Sequence, residues 1–243
     1  MIVLVGNIWK LEKNFLPHFL NHYRTWGVDK FFLEIYGGER NPAWEEIKRT
    51  GNGNYIKLCE AKDEEWSIDT DHAFKNRIRA LINPEDWLIP VDIDEFHTVP
   101  GYNNFKEVQK DCEAVQAECV FSNLIDRIAE NGDVTQELLP DIPVLEQFPV
   151  EKNVLKDITK GYGKKVCFQK PNVYINIGHH DVNLWKTYKV FDKVGKSYHI
   201  KWFGKTFYDR ENAKADLLKK QNKPWINENI RLFNYLKSTD GKL

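Results

Sequence analysis

Three carboxylates within four residues, Asp92, Asp94 and Glu95, end the apolar run Trp87-Leu88-Ile89-Pro90-Val91. Acids this close repel one another unless a cation sits among them. Mg2+ or Mn2+ bridging carboxylates and a diphosphate meets that demand, because hard cations prefer oxygen ligands. In parallel α/β sheets ligands gather at the carboxyl ends of strands, where this turn falls. A bare D-x-D arises often by chance. D-x-D-E-F directly after an apolar strand is more specific, and it makes Asp92 and Asp94 the expected metal ligands. The alternative is a solvated acidic turn.

The elements that must position this turn are legible as two alternating patterns. Ile2–Val5 is a short buried-strand run. Phe15, Leu16, Phe19, Leu20, Tyr23 and Trp26 recur at helical spacing, with Asn14 as a cap, Pro17 in the first turn and Gly27 as a stop. Phe31–Ile35 reads as a second strand, Ala43–Arg49 as a short helix and Tyr55–Cys59 as a third strand. A longer helix carries Ala73, Phe74, Ile78, Leu81 and Ile82, and Trp87–Val91 is the fourth strand. Strands alternating with helices predict an α/β fold, a mostly parallel central sheet flanked by helices. Beyond Pro100 the pattern is more irregular, with strand-like runs at Ala114–Phe121, Lys165–Phe168 and Val173–Ile177. Helices are expected at Asp209–Lys220 and Ile226–Leu236. No Pro/Gly/Ser-rich linker divides the chain, which reads as one domain over 1–243. Residues to about 100 form a nucleotide-binding half, and 101–243 complete the pocket.

With 35 basic and 36 acidic residues the formal net charge is −1, which argues against a broad nucleic-acid surface. Cys59, Cys112, Cys119 and Cys167 show no metal-ligand spacing and read as free thiols in a reducing, cytoplasmic setting. Ile2–Val5 is too short, and lacks a basic leader, for a secretory signal, and no window reaches the length of a membrane span.

Asn14-Phe15-Leu16-Pro17-His18-Phe19-Leu20-Asn21-His22 and Gly27-Val28-Asp29 resemble the opening of family 2-like glycosyltransferases, where L-P-x-W-x-x-H-x-x-x-G-V-D follows the first strand. Trp87 through Phe96 resembles the same family's D-W-x-x-x-x-D-x-D-E-F signature. Together these matches cover the first hundred residues, and later blocks match in patches. The resemblance implies a GT-A fold, a nucleotide-diphosphate sugar donor, a glycan or lipid-linked acceptor and a Mn2+ or Mg2+ requirement. Members carry Asn-Glu after the first strand. Here Gly6-Asn7-Ile8-Trp9 lacks that acid, and Glu12 is the nearest substitute.

Further candidates follow from the resemblance. A late histidine completing the metal shell implies His180, ahead of His179, while His199 lies in a block similar to the family's H-Y-x-x-R. Lys201 beside it would neutralise a diphosphate. The helix before strand four would line the donor site with Asp71 and Lys75, which share a face, together with Asn76 and Arg77. Ordinary surface ion pairing is the alternative. Asp126, next to Arg127, is the expected catalytic base of an inverting enzyme, against a structural contact. Trp202, Phe203, Phe207 and Tyr208 read as core. A haloacid-dehalogenase-type phosphatase fits poorly, with Phe96 where Thr or Val belongs. A sugar nucleotidyltransferase lacks its Gly-rich N-terminal loop. A non-catalytic carbohydrate-binding module is the remaining alternative.

Overall fold

The computed structural model describes residues 1–9, 15–37, 41, 43–45, 47, 56–62, 66–174, 176–181 and 187–243, the side chains of 56–62 excepted. Expectations for Glu12, the Asn14 cap, Tyr55 and part of the Ala43–Arg49 helix lie outside the described residues.

Alternation along strand β1 (Ile2–Ile8) buries both faces, with Ile2 and Leu4 in one apolar cluster and Val3 and Val5 in another. Helix α1 (Phe15–Thr25) places Phe15, Leu16, Phe19, Leu20 and Tyr23 on its buried face, and Pro17 falls in its first turn. Strands β2 (Lys30–Tyr36), β3 (Ile56–Lys62) and β4 (Trp87–Asp92) join β1 in parallel, in the order β3-β2-β1-β4. Helix α2 (Ile68–Leu81) covers the face of Val3, Val5 and Leu88 with Phe74 and Ile78. A capping box starts it: Ser67 Oγ accepts from Thr70 N at 3.1 Å, and Thr70 Oγ1 accepts from Ser67 N at 3.2 Å.

The sheet continues into the second half through β8 (Lys164–Gln169), β6 (Cys119–Ile128), β9 (Gly195–His199) and β5 (Glu95–Thr98). Strand β7 (Val150–Lys152) pairs with β6 off the main path. Here the pairing is mixed: β8 is antiparallel to β4 and β6, β9 is parallel to β6, and β5 is antiparallel to β9. Helices α3 (Phe105–Ala114), α4 (Val144–Gln147), α5 (Phe207–Lys220) and α6 (Ile226–Ser238) complete the chain. The architecture is the expected α/β fold, a central sheet flanked by helices.

Two expectations for the second half are corrected. Ala114 ends α3 and the strand begins only at Cys119, after a turn in which Gln116 takes φ 56°. The described residues of Val173–Ile177 form no strand. Val173 N closes a turn on Lys170 O, and Gly178 and His179 are left-handed at φ 74° and 54°. Strands β5 and β9 and helix α3 had no counterpart in the sequence reading. Cys112, Cys119 and Cys167 are buried free thiols. Among the described residues no helix is long and apolar enough to cross a membrane.

Candidate functional site

Strand register brings the chemistry together. Asn7 pairs with Asp92 where β1 and β4 end side by side, and the Asn7 amide donates to Asp71 of α2. After the turn at Ile93-Asp94, Glu95 pairs with His199 across β5 and β9. Asp126 pairs with His199 across β6 and β9. Ile200 N donates to Asp94 O at 2.8 Å, tying the turn to the end of β9.

The chain places cations of its own among these acids. Lys75 Nζ, fully buried, lies 3.0 Å from Asp71 Oδ1, 2.8 Å from Asp92 Oδ1 and 2.7 Å from His179 Nε2. Lys165 Nζ lies 2.8 Å from Asp92 Oδ2 and pairs also with Glu95. Asp71, Asp92 and His179 are the one trio of potential ligands among the described residues whose donor atoms all lie within 4.8 Å of one another. An ammonium group occupies its centre. Burial alone would raise the Asp92 pKa, but Lys165 and Lys75 outweigh it and hold the carboxyl well below its ordinary value. Burial prevails at Glu95, which is pushed up to about 7 despite Lys165. Burial and Lys75 keep His179 neutral, far below its usual range.

Asp94 is compensated differently. Its side chain is 29 % exposed, and Oδ2 lies 3.4 Å from His199 Nε2. On the far side of that ring, Nδ1 lies 2.7 Å from Asp126 Oδ1. Trp202 Nε1 donates to the same oxygen at 2.6 Å, and Leu155 N donates to Oδ2 at 2.8 Å. Burial lowers the His199 pKa, but Asp94 and Asp126 outweigh it and hold the ring at about 9. Burial raises Asp94, but His199 outweighs it and holds the carboxyl at about 2. A carboxylate and an imidazole nitrogen facing one space, with the far ring nitrogen on a second carboxylate, is an arrangement suited to a divalent cation.

That space opens into a cleft of about 260 Å³ whose lining includes Asp92, Asp94, Lys165, Lys201, Arg210 and Lys214. Trp9 and Trp66 stack at 5.5 Å between ring centroids and line it too, as does Trp225. Burial and Lys201 lower the Lys214 pKa to about 8.

Of the predicted site residues, Asp71, Asp92, Asp94, His180 and Lys201 line the cleft. Lys75 does not line it: its ammonium group is enclosed by Asp71, Asp92 and His179, where it is an internal counter-ion. Arg77 is exposed, lies over Phe74 at 5.6 Å and is not among the residues that line the cleft. Asp126 is 1 % exposed and bonded to three donors, so it meets His199 rather than the cleft. His180 bonds Lys164 O through Nδ1 at 2.9 Å and stacks on Tyr162, while His199 is the histidine that meets Asp94. Sequence reasoning missed Lys165, Arg210, Glu211 and Lys214. The one local signal was Lys165 at the head of the apolar run Val166-Cys167-Phe168.

No protein-family profile and no curated protein sequence matches the chain. Solved structures that align with it include S. aureus TarS 1–349 in complex with UDP, at 12 % identity over 88 % of this chain and 64 % of that chain, TM-score 0.43. HddC from Yersinia pseudotuberculosis aligns at 11 % identity over 84 % and 91 %, TM-score 0.38. The 4-diphosphocytidyl-2C-methyl-D-erythritol synthase of Anaerococcus prevotii aligns at 9 % identity over 70 % of each chain, TM-score 0.34. Alignments this loose carry no assignment, and the function rests on the site's own geometry.

Proposed function

We propose that the chain is a divalent-metal-dependent glycosyltransferase that takes a nucleotide-diphosphate sugar and passes the sugar to a hydroxyl of a glycan or lipid-linked acceptor. The observation that carries this reading is the meeting of Asp94 and His199 Nε2 at the cleft, backed by Asp126 on the far ring nitrogen. Asp94 and His199 would hold the cation, Mn2+ or Mg2+. When bound there, such an ion acts as a Lewis acid toward the departing diphosphate.

The chain's own residues do the rest. Asp126 acts through His199: it accepts from Nδ1–H and so fixes the ring with Nε2 toward Asp94 and the cleft, where a bound cation would replace the Nε2 proton that the ring, with its pKa of about 9, otherwise carries. Trp202 and the backbone of Leu155 hold Asp126 in place for that task. Lys75 and Lys165 keep Asp92 ionised and fixed beside Asp94. Lys201 faces the same space and would neutralise phosphate charge. The family 2 resemblance favours inversion at the anomeric carbon.

The test is thermal unfolding with UDP- and GDP-sugars, with and without Mn2+, alongside a donor-turnover assay. One nucleotide sugar should stabilise the protein in a metal-dependent way. Asp94→Asn and His199→Gln should fold, lose that metal dependence and lose turnover. Full metal-dependent turnover in Asp94→Asn refutes the assignment.

A further inference from the structure

Among the described phenylalanine, tyrosine and tryptophan residues that line the cleft, Tyr162 alone is exposed, at 68 %. A large ring left exposed forgoes hydrophobic burial, yet the chain around this one is pinned. Gly161 N donates to Leu155 O at 2.8 Å, and Leu124 N of β6 donates to Gly163 O at 2.9 Å. Thr159 Oγ1 donates to Leu155 O at 2.7 Å, and Arg231 Nε of α6 donates to Thr159 O at 2.6 Å. A Cβ on Gly161 would lie 2.9 Å from Leu155 Cγ, so the chain runs hard against that side chain just before the tyrosine. The Tyr162 ring rests on His180, with centroids 5.1 Å apart and planes 28° from parallel. His180 is fixed in turn: Nδ1 donates to Lys164 O at 2.9 Å, and a Cβ on Gly178 would meet its Cδ2 at 2.8 Å. Tyr162 is therefore an exposed aromatic on a rigid mount, with one face on His180 and the other open.

A carboxylate stands beside it. Glu228 is half-buried on α6 and lines the cleft, and its Oε1 would lie 3.4 Å from a Cβ on Gly161. A flat aromatic face with a carboxylate at its rim matches a pyranose. The sugar's axial C–H bonds are weakly positive and settle on the electron-rich face of the ring, while its hydroxyls donate to the carboxylate. A lipid chain matches poorly, because its methylenes would desolvate Glu228 and offer its oxygens no donor. We propose that Tyr162 and Glu228 form a subsite for a pyranose ring, the accepting end of a glycan. Gluco- and galacto-configured sugars are the favoured class, since each carries a face of axial C–H bonds. That the bound sugar is an acceptor rests on the transfer reading above, because Tyr162 and Asp94 line the same cleft. The binding itself is tested without donor or metal.

Saturation-transfer NMR titrations with the methyl β-glycosides of glucose, galactose and N-acetylglucosamine read the subsite directly, with hexyl phosphate as the lipid-like probe. At least one pyranoside should bind the wild-type chain, with the strongest transfer to its axial ring protons. Tyr162→Ala should weaken that binding about tenfold, and Glu228→Met by a similar factor. Tyr162→Phe should retain it, which separates loss of the ring from loss of fold. Tyr208→Ala, which removes an exposed ring that does not line the cleft, should bind as the wild type does. No transfer to any pyranoside, unchanged affinity in Tyr162→Ala, equal loss in Tyr208→Ala, or transfer to hexyl phosphate alone overturns the subsite. Pyranoside binding that depends on Tyr162, in a protein that neither binds nor turns over any sugar nucleotide, keeps the subsite and removes the glycosyl-transfer reading. Donor turnover with no pyranoside binding does the reverse.

Discussion

At the scale of single residues, the feature that most alters the chemistry is Lys75. Its ammonium group meets Asp71, Asp92 and His179 Nε2 at once, which offsets the charge of the two carboxylates beside it. Truncating one partner of such a pair leaves uncompensated buried charge, at a cost of about 3–5 kcal/mol. Lys75→Met should therefore lower the urea midpoint sharply. The same variant empties a space with two carboxylates and an imidazole within 4.8 Å of one another, so added Mn2+ or Zn2+ should raise its melting temperature above any effect on the wild type. A variant as stable as its parent, or indifferent to metal, contradicts the counter-ion role. Arg77 is instructive in the opposite sense. Six residues beyond Asp71 on a helix is about 120° off its face, so periodicity alone separates it from Asp71 and Lys75, which are about 40° apart.

Elements decide what local spacing cannot. The carboxylate turn and the shared face of Asp71 and Lys75 were legible because strand ends and i,i+4 neighbours are encoded within a few residues. Asp126–His199 and Asp92–Lys165 each join positions 73 apart, and only the insertion of β8 and β9 into the sheet makes them neighbours. Strand β9 was invisible because Gly195-Lys196-Ser197-Tyr198-His199 has little apolar content, and its burial comes from neighbours on both sides. Its entry point is tight. A Cβ on Gly195 would meet Thr98 O at 2.9 Å, Cys167 Sγ at 3.1 Å and Ser122 Cβ at 3.2 Å. Two of these neighbours belong to strands on either side and the third to β8, so relief requires moving backbone or buried core. Gly195→Ala should cost about 1–3 kcal/mol by overpacking and lower the melting temperature by roughly 2–10 °C. It should also weaken metal-dependent stabilisation, since β9 carries His199. Calorimetry of the variant with and without Mn2+ and donor checks both, and an unchanged melting temperature would mean that β9 does not sit this closely against Thr98.

Across the whole molecule, stability should depend on pH through histidines that the fold keeps neutral. Burial lowers the His22 pKa to about 4 and that of His97 to about 3, each against a weaker opposing hydrogen bond to a backbone carbonyl. The His97 ring bridges the two halves of the sheet: Nε2 lies 3.3 Å from Pro90 O of β4, and Nδ1 lies 2.7 Å from Ser197 Oγ of β9. Below the ordinary histidine pKa near 6.5, the unfolded chain takes up these protons and the folded chain does not. Their contribution is therefore complete above about pH 6.5 and is lost as pH falls toward 4. Glu95 opposes the trend, because a pKa pushed up to about 7 gives stability that is complete below about 4.5 and lost as pH rises through 7. With His179 and His180 also held below their ordinary range, four histidines against one carboxyl leave the folded protein weakening as acid is added between pH 6 and 4.5. Replacing His97 with Gln should remove about one proton from the linkage, flattening the slope of unfolding free energy by about 1.4 kcal/mol per pH unit in that window. Urea titrations at half-unit steps measure the slope separately from any uniform loss of stability. An unaltered slope would mean that His97 titrates alike in the folded and unfolded chains, and that the contact between Pro90 and Ser197 does not hold its ring neutral.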